Sequence, residues 1–326
     1  MQRDVLLKVD ELRTEFFSSK TKSVTAVDKV SFEIYKGEIL GLVGESGCGK
    51  SVTSLSVMQL LKDTPGKVTH GQVLLDGQDL LKLSVGEIRA IRGGRMSMIF
   101  QEPMSALNPS MRIDRQMMET IMLHTDKNKE QARAHAADML KKVGIPDPPR
   151  VLKNYPHQLS GGMSQRVMIA MALSCDPELL IADEPTTALD VTIQAQILDL
   201  MKKLQQEAQS SILLITHDLG VVAEMCSRVI VMYAGKIVEE APVSELFNHP
   251  THPYTQGLIA SVPKLGSGVK VLPSIPGSVP DLASMPKGCR FAPRCKYATA
   301  KCHEMEPELV TVGENQRCRC WLKQEG

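Results

Sequence analysis

The chain contains 326 residues, with 38 lysines and arginines against 37 aspartates and glutamates. This length allows a sizeable buried core and two or three structural units, and the balanced charge lacks the basic excess that follows a nucleic-acid backbone. The N-terminal residues alternate apolar and charged positions and do not predict a signal peptide, and no stretch approaches the roughly 18 apolar residues that span a membrane. We therefore expect no nucleic-acid partner, and any role at a membrane only through partner subunits.

Three patterns then follow one another along the chain. Residues 1 to about 100 contain short apolar runs separated by turns, which predict an antiparallel β lobe. Residues from about 103 to 172 carry apolar side chains at helical spacing, which predicts a helical insertion with one helix closing on Gly144. Strands and helices alternate from there to His249, which is typical of a parallel sheet covered by helices on both faces. Beyond His249 proline and cysteine become frequent, which predicts an irregular C-terminal module without a large core of its own.

A phosphate-binding loop follows the third predicted strand. The strand EILGLV leads into GESGCGKS and then a helix, which is the P-loop pattern in its proper context. Glycines let backbone N–H groups turn toward phosphate oxygens, and the helix start adds its positive end. We expect Lys50 to reach the terminal phosphates and Ser51 to offer its hydroxyl to Mg²⁺, while the Cys48 thiol fills a variable slot as a bystander. The other residues expected to contact ATP in this loop are Gly44, Glu45, Ser46, Gly47, Cys48 (through its backbone) and Gly49.

Two carboxylates follow a second buried strand. The run LLIA ends in Asp183 and Glu184, so both lie at the carboxyl edge of the predicted sheet. Asp183 is suited to hold Mg²⁺, and Glu184 to orient or deprotonate the attacking water. Together with the P-loop, this pair predicts an α/β P-loop NTPase (RecA-like) core that carries the β lobe, the helical insertion and the cysteine-rich extension.

The segment LSGGMSQR lies between these two motifs and resembles the LSGGQ signature of ABC ATPases, with methionine in the glutamine slot. In that family the signature forms a second anion-binding helix start, which faces the ATP held by an opposing subunit. The resemblance places Ser160, Gly161, Gly162 and Gln165 at that nucleotide. A soluble ABC ATPase of DNA repair or translation would need long coiled-coil insertions or two cassettes, and this chain has one cassette with neither.

The same resemblance assigns further positions. Gln101 looks like the Q-loop glutamine, which senses Mg²⁺ and water and couples to membrane subunits. Ala188-Leu189-Asp190 resembles the D-loop, with Asp190 at the dimer seam, and His217 resembles the switch histidine at the terminal phosphate. The resemblance thus implies that Glu184, His217, Gln101 and Lys50 carry catalysis, with ATP and Mg²⁺ as cofactors. Phe16 takes the place of the aromatic residue that stacks on adenine, and Phe17 is equally available.

The region after the core narrows the subfamily. The stretch HPYT at residues 252–255 and the tail GCRFAPRCKYATAKCHEMEPE resemble the D-type ATPase subunits of dipeptide and oligopeptide permeases. That resemblance implies an ABC nucleotide-binding domain over residues 1–250 and a permease-type extension over residues 251–326. It also implies ATP-driven import of short peptides from the cytoplasmic face of the cell membrane, with a homologous second ATPase subunit, two membrane permease subunits and an extracytoplasmic solute-binding protein. Relatives that handle nickel or glutathione leave the solute open.

Five of the eight cysteines fall between Cys289 and Cys320, which favours a metal site in a reducing compartment over a spread disulfide framework. Members of the subfamily carry a 4Fe–4S cluster, and the resemblance assigns its ligands to Cys289, Cys295, Cys302 and Cys318. Cys320 is an alternative fourth ligand, and a Cys₄ zinc site would do the same structural work. Nothing in ATP hydrolysis requires an electron, so we expect this centre to be structural.

Overall fold

The computed structural model describes residues 4–19, 22–187, 190–262 and 273–324. Two compact units form, each discontinuous in sequence. The first takes in the described residues of Met1–Leu6, Ile34–Glu38 and Lys82–Leu214, and the second those of Leu7–Glu33, Ile39–Leu81 and Ile215–Gly326. Among the described residues, none of the helices combines the length and the apolar character needed to cross a membrane.

Strands and helices are numbered in chain order. The strands are β1 Val5–Phe17, β2 Ser23–Tyr35, β3 Ile39–Val43, β4 Gly66–Leu75, β5 Gln78–Asp79, β6 Met96–Ile99, β7 Leu179–Asp183, β8 Ser211–Thr216, β9 Arg228–Tyr233, β10 Lys236–Pro242, β11 Val310–Gly313 and β12 Gln316–Cys318. The helices are α1 Lys50–Val57, α2 Val85–Ile91, α3 Pro103–Ala106, α4 Ile113–His124, α5 Lys129–Lys142, α6 Pro148–Val151, α7 Gly161–Leu173, α8 Val191–Ala208, α9 Leu219–Met225, α10 Val243–Asn248, α11 Pro253–Ala260 and α12 Ala300–Glu304.

The second unit contains the predicted antiparallel β lobe. Its strands are ordered β2-β1-β4-β5, and the β1–β4 register runs from Leu7 opposite Leu75 to Phe16 opposite Gly66. Leu7 and Val9 are buried at alternate positions of β1, because successive side chains point to opposite faces of a strand. A register shift follows Asp10, and Leu12 and Thr14 then continue the buried face. In the same unit β3 pairs in parallel with β9, and all five residues of β3 are buried. A strand buried on both faces is what its unbroken apolar sequence predicts.

The first unit contains the helical insertion. Helices α3 to α7 occupy residues 103–173, which agrees with the predicted range of 103–172. Asn128 caps α5 by accepting hydrogen bonds from the backbone N–H groups of Glu130 and Gln131. That helix closes at Gly144 with φ +77°, the left-handed conformation that glycine adopts at helix ends. Strands β6 and β7 of this unit pair in parallel, with Ile99 opposite Ala182, so their carboxyl ends meet at one edge.

The described part of the C-terminal tail, residues 251–262 and 273–324, contains strands and helices that the prediction of an irregular module did not include. Its strand β12 pairs antiparallel with β10, with Cys318 opposite Glu239, and β11 pairs with β12. Glu239 is fully buried, and its carboxylate accepts hydrogen bonds from Thr251 N (2.8 Å), Thr251 Oγ1 (2.7 Å), His252 N (2.9 Å) and Gln316 Nε2 (2.9 Å). Four donors on one carboxylate give the tail a polar anchor in place of a large core.

Candidate active site

The P-loop, residues 44–51, begins where the buried strand β3 ends. A Cβ atom at Gly44 would overlap the carbonyl oxygen of Met232, so no other residue fits there without moving backbone. Gly49 has φ +105°, and a Cβ there would lie 2.8 Å from the carbonyl oxygen of Ala26. Both positions require glycine, because residues with a side chain rarely adopt such φ values and there is no space for a Cβ atom. The loop is therefore packed closely against β9 and β2 within its unit.

Lys50 begins helix α1 and turns back over the loop. Its Nζ donates hydrogen bonds to the carbonyl oxygens of Gly44 (2.8 Å) and Glu45 (3.1 Å), and the residue is only 5% exposed. The ammonium group is thus held where a P-loop lysine meets the terminal phosphates. Ser46 and Gly47 lie exposed at the tip of the loop, and Ser51 is partly buried at the start of α1.

The Cys48 thiol is packed inside the loop. Burial raises the pKa of Cys48, and the neighbouring Lys50 opposes this only partly. The residue is fully buried, so the thiol stays protonated and lies away from solvent. This geometry agrees with the interpretation of the side chain as a bystander in a phosphate site.

His217 and the P-loop line the same cavity within the second unit. The cavity has a volume of about 300 Å³, and its walls include Gly44, Glu45, His217 and Asp218. Asp218 caps helix α9 by accepting hydrogen bonds from Gly220 N (2.8 Å) and Val221 N (3.3 Å). This cap fixes the turn directly after β8, so the exposed His217 side chain is presented beside the loop from a rigid segment.

Gln101 and Glu184 meet in the first unit. Gln101 Nε2 donates a hydrogen bond of 3.1 Å to Glu184 Oε2. The contact arises because these residues follow the parallel neighbours β6 and β7 at the same sheet edge. Glu184 has φ +47°, an uncommon backbone conformation for a residue with a side chain. Such strain is kept where the surrounding structure fixes a residue, and functional sites are a frequent location.

Thr187 is a contact that the sequence interpretation missed. Its Oγ1 donates a 2.8 Å hydrogen bond to Glu184 Oε2, the oxygen that Gln101 also contacts. The sequence feature that could have indicated this contact is the threonine hydroxyl three positions after Glu184. Asp183 ends β7 and is 5% exposed. The carboxylate pair thus consists of one buried and one partly exposed group at the strand end.

The signature segment opens helix α7. Ser160 caps this helix through a 3.4 Å hydrogen bond from Met163 N, and Ser160 and Gly161 are exposed while Gly162 is partly exposed. An exposed capped helix start with two glycines fits anion binding. Gln165 is 2% exposed, and its amide donates to the carbonyl oxygen of Pro185 at 2.5 Å. In this chain it links α7 to the segment after Glu184.

Asp190 caps helix α8 by accepting a 3.0 Å hydrogen bond from Ile193 N. Of the predicted D-loop, Ala188 and Leu189 lie outside the described residues. Asp190 itself is exposed, as a residue at a subunit seam is in the isolated chain.

The two candidate adenine-stacking residues have different surroundings at the end of β1. The Phe16 ring packs on Gly66, where a Cβ atom would lie 2.9 Å from Phe16 Cε1. Lys67 Nζ lies 5.7 Å from the centroid of the Phe17 ring, within the range of a cation–π contact. Both rings are partly buried.

The tail cysteines influence one another electrostatically. The Cys320 thiol interacts with Cys295 and Cys302, and the Cys289 thiol interacts with Cys302 and Cys320. The Cys318 thiol interacts with Cys320 as well as with Thr251 and Glu239, and burial raises its pKa to about 12. Within the described ranges, no group of three or more His, Cys, Asp or Glu side chains is arranged to hold a metal ion.

The P-loop, the strand-end carboxylates and the helical insertion together define an ATP-binding cassette ATPase. The family described as ABC transporter matches residues 27–187, and the family described as oligopeptide/dipeptide transporter, C-terminal region, matches residues 238–302. The oligopeptide transport ATP-binding protein AppD of Bacillus subtilis is 52% identical over 98% of this chain and 97% of its own length. The dipeptide transport ATP-binding protein DppD of Escherichia coli is 49% identical over 97% and 96%. The chain belongs to this family of oligopeptide and dipeptide ABC transporter ATP-binding proteins.

Solved structures agree at the level of the cassette. The ATP-binding cassette MJ0796, in a dimeric post-hydrolysis state with ADP and Pi, is 29% identical with a TM-score of 0.65. That match covers 73% of this chain and 98% of the other. The cbiO1 protein of Clostridium perfringens is 26% identical with a TM-score of 0.62, and the match covers 76% and 92% of the two chains. The predicted α/β P-loop fold with its β lobe and helical insertion is confirmed.

Proposed function

We propose that this chain binds and hydrolyses ATP to power the import of short peptides across the cytoplasmic membrane. The observation that carries the ATPase assignment is the contact between Gln101 and Glu184 at 3.1 Å, at the edge of parallel strands in a cassette that also holds a P-loop. The peptide assignment rests on the full-length similarity to the oligopeptide and dipeptide transport proteins AppD and DppD.

The P-loop binds the triphosphate. Backbone N–H groups of the loop and the start of α1 supply dipoles for phosphate oxygens, and Lys50 supplies a full positive charge. The N–H groups of Glu45 and Cys48 do not take part, because they donate to Tyr254 Oη and to the Glu45 carbonyl oxygen. Lys50 is already held over the loop by two carbonyl oxygens, so little reorganisation is needed when phosphates enter. An aromatic ring at the end of β1, Phe16 or Phe17, stacks on adenine.

Glu184 orients the attacking water and accepts its proton. Hydrogen bonds from Gln101 and Thr187 converge on Oε2 of Glu184 and fix the carboxylate. His217 contacts the terminal phosphate from its position in the cavity that it shares with Gly44 and Glu45. In this arrangement catalysis is mostly positioning and charge stabilisation, as in other phosphoryl transfers.

Ser51, Asp183 and Gln101 carry the oxygen donors that Mg²⁺ prefers, so the chemistry of these side chains suits the ion. When bound, the ion would neutralise charge on the phosphate oxygens. Asp183 is 5% exposed, and a cation would compensate the charge of a carboxylate held there.

Two ATPase subunits close head to tail in the proposed assembly. The exposed start of α7, with Ser160, Gly161 and Gly162, then faces the ATP bound by the partner, and Asp190 lies at the seam. The dimeric post-hydrolysis state of the MJ0796 cassette supports this mode of pairing. The partner is a homologous but distinct ATPase subunit, and two membrane subunits dock near Gln101 from the cytoplasmic side. An extracytoplasmic binding protein delivers the solute.

The C-terminal extension, residues 251–326, follows a nucleotide-binding domain of residues 1–250 in the proposed division. A 4Fe–4S cluster held by Cys289, Cys295, Cys302 and either Cys320 or the predicted Cys318 would organise this extension. Cys320 is favoured as the fourth ligand because its thiol interacts electrostatically with each of the other three. Cys318 interacts with Cys320, Thr251 and Glu239.

Glu184→Gln tests the ATPase proposal. The variant is expected to retain ATP affinity and to lose hydrolysis by about a hundredfold or more, since general-base catalysis contributes about 10²–10⁴-fold. Glu207→Gln is the matched control, because Glu207 is an exposed glutamate of α8 that pairs with Lys203. Near-normal turnover of Glu184→Gln would remove the assigned base. Uptake of labelled dipeptides, nickel or glutathione by vesicles that contain the assembled transporter then separates the candidate solutes.

A further inference from the structure

Arg294 of the C-terminal tail forms a bidentate ion pair with a P-loop residue. Its guanidinium Nη1 lies 2.7 Å from Glu45 Oε2, and its Nη2 lies 3.1 Å from Glu45 Oε1. The Arg294 side chain is only 6% exposed, whereas that of Glu45 is 28% exposed. The parallel geometry of two such hydrogen bonds makes this one of the strong classes of ion pair.

The other donor contacts of Arg294 hold it in place. Its Nε donates to the carbonyl oxygen of Pro276 at 2.9 Å, its Nη2 to that of Ile275 at 3.3 Å, and its Nη1 to Tyr233 Oη at 3.3 Å. The guanidinium also lies 5.7 Å from the centroid of the Tyr233 ring. Tail backbone and a core tyrosine therefore fix the charge against Glu45, and the arginine is preorganised before any nucleotide binds.

A second tail residue contacts the backbone of the same position. Tyr254 Oη accepts a 2.9 Å hydrogen bond from Glu45 N. The Tyr254 ring is fully buried, with centroid distances of 4.7 Å to Tyr233 and 5.5 Å to Phe291. Burial raises the pKa of Tyr254, so its hydroxyl remains neutral. Both the backbone and the side chain of Glu45 are thus held by residues from beyond the cassette core.

The negative charge of Glu45 is the reason why its ion pair with Arg294 matters for nucleotide binding. A P-loop binds a polyanion, and an unneutralised carboxylate within that loop would repel phosphates in a site of reduced dielectric constant. Lys50 does not compensate Glu45 directly, since its Nζ donates to the Glu45 carbonyl and not to the carboxylate. Arg294 is the cation that the structure pairs with the carboxylate.

We propose that Arg294 is a positioning residue for ATP binding, which neutralises Glu45 and so couples nucleotide affinity to the folded state of the C-terminal tail. This inference rests on the proposed role of the P-loop as the triphosphate site. Arg294 itself acts through Glu45 and does not touch the reacting phosphate.

The test compares ATP binding and steady-state hydrolysis in the full chain and four variants, assembled with its partner subunits where turnover requires them. Arg294→Ala is expected to raise the Kd and KM for ATP about tenfold with kcat nearly unchanged, since the partly exposed Glu45 carboxylate is left unpaired beside the phosphates. Adding Glu45→Gln to Arg294→Ala is expected to restore most of the affinity. The penalty of Arg294→Ala should also shrink at high salt.

Arg290→Ala is the matched control. Arg290 is a buried arginine of the same tail that pairs with Asp28, outside the P-loop, and its side chain is 12% exposed. The Arg290→Ala variant is expected to have an ATP affinity near the wild-type value. An equal loss of affinity in Arg290→Ala, or no recovery in the double variant, would overturn the proposal and indicate general damage to the tail.

Glu45→Gln alone keeps the proposal testable if Arg294→Ala fails to fold. Charge neutralisation predicts unchanged or tighter ATP binding for this variant, because a repulsive carboxylate is removed and Arg294 remains. Weaker binding would show that the ion pair acts only by shaping the loop and would refute the electrostatic role. If the wild-type chain itself binds no ATP, the proposed function fails before Arg294 is tested.

Discussion

Glu239→Ala is expected to destabilise the chain by about 3–5 kcal/mol. The carboxylate is fully buried and accepts four hydrogen bonds, from the backbone and side chain of Thr251, from His252 N and from Gln316 Nε2. Each buried donor left without an acceptor costs about 1–3 kcal/mol. Water that enters the tail would satisfy part of this set, so the total falls below the sum and near the upper range for single substitutions.

Urea unfolding followed by circular dichroism measures this change, and limited proteolysis shows whether the tail opens first. Glu239→Gln is expected to lose about half as much, because one amide oxygen remains as an acceptor. Glu245→Gln is the control, since this exposed glutamate of α10 pairs only with His249, and it should change stability by less than about 0.5 kcal/mol. A loss below about 1 kcal/mol in Glu239→Ala would refute the view that one carboxylate anchors the tail.

Three further outcomes are expected. Gly44→Ala should abolish ATP binding measured by calorimetry, because the new Cβ atom would overlap the Met232 carbonyl oxygen. Gly86→Ala is the control: a Cβ atom at Gly86 meets open space, so this variant should bind ATP normally. Burial lowers the pKa of His252 from 6.5 to about 3. The unfolding free energy of the wild-type chain should therefore fall as pH drops below about 6.5, by up to about 1.4 kcal/mol per pH unit relative to His252→Asn. Parallel pH profiles of the two proteins would contradict this. Wild-type protein purified without oxygen should contain iron and sulfide. The Cys295→Ser variant should lose both, and the Cys318→Ser variant should retain them. Zinc or no metal in the wild-type protein would contradict the cluster.

The fold and the local motifs were predictable because their signals lie in short, contiguous stretches. The P-loop is specified by glycines whose conformations only glycine adopts, and the signature is specified by a capping serine and two glycines at a helix start. The position of Asp183 and Glu184 at the carboxyl edge of the sheet followed from the buried strand that precedes them. These features depend on local backbone geometry, which residue type largely determines.

The contacts that the sequence did not reveal join distant residues or depend on side-chain direction. Arg294 and Glu45 are 249 positions apart, and nothing in either segment indicates the other. Gln165 is two places from the signature slot, yet its helical position turns it into the core. The choice between Cys318 and Cys320 depends on the pairing of β12 with β10, which places Cys318 next to Glu239. Such choices are decided by tertiary packing.

The pairing of β12 with β10 also covers a strand edge through which copies of the chain could otherwise associate. Without the tail, β10 would present a row of unpaired backbone donors and acceptors, and such an open strand edge is a template for pairing with another chain. A chain shortened after residue 250 would therefore tend to self-associate through β10, and its low solubility would report an uncovered sheet edge. The tail is in this sense a cap on the edge of the sheet.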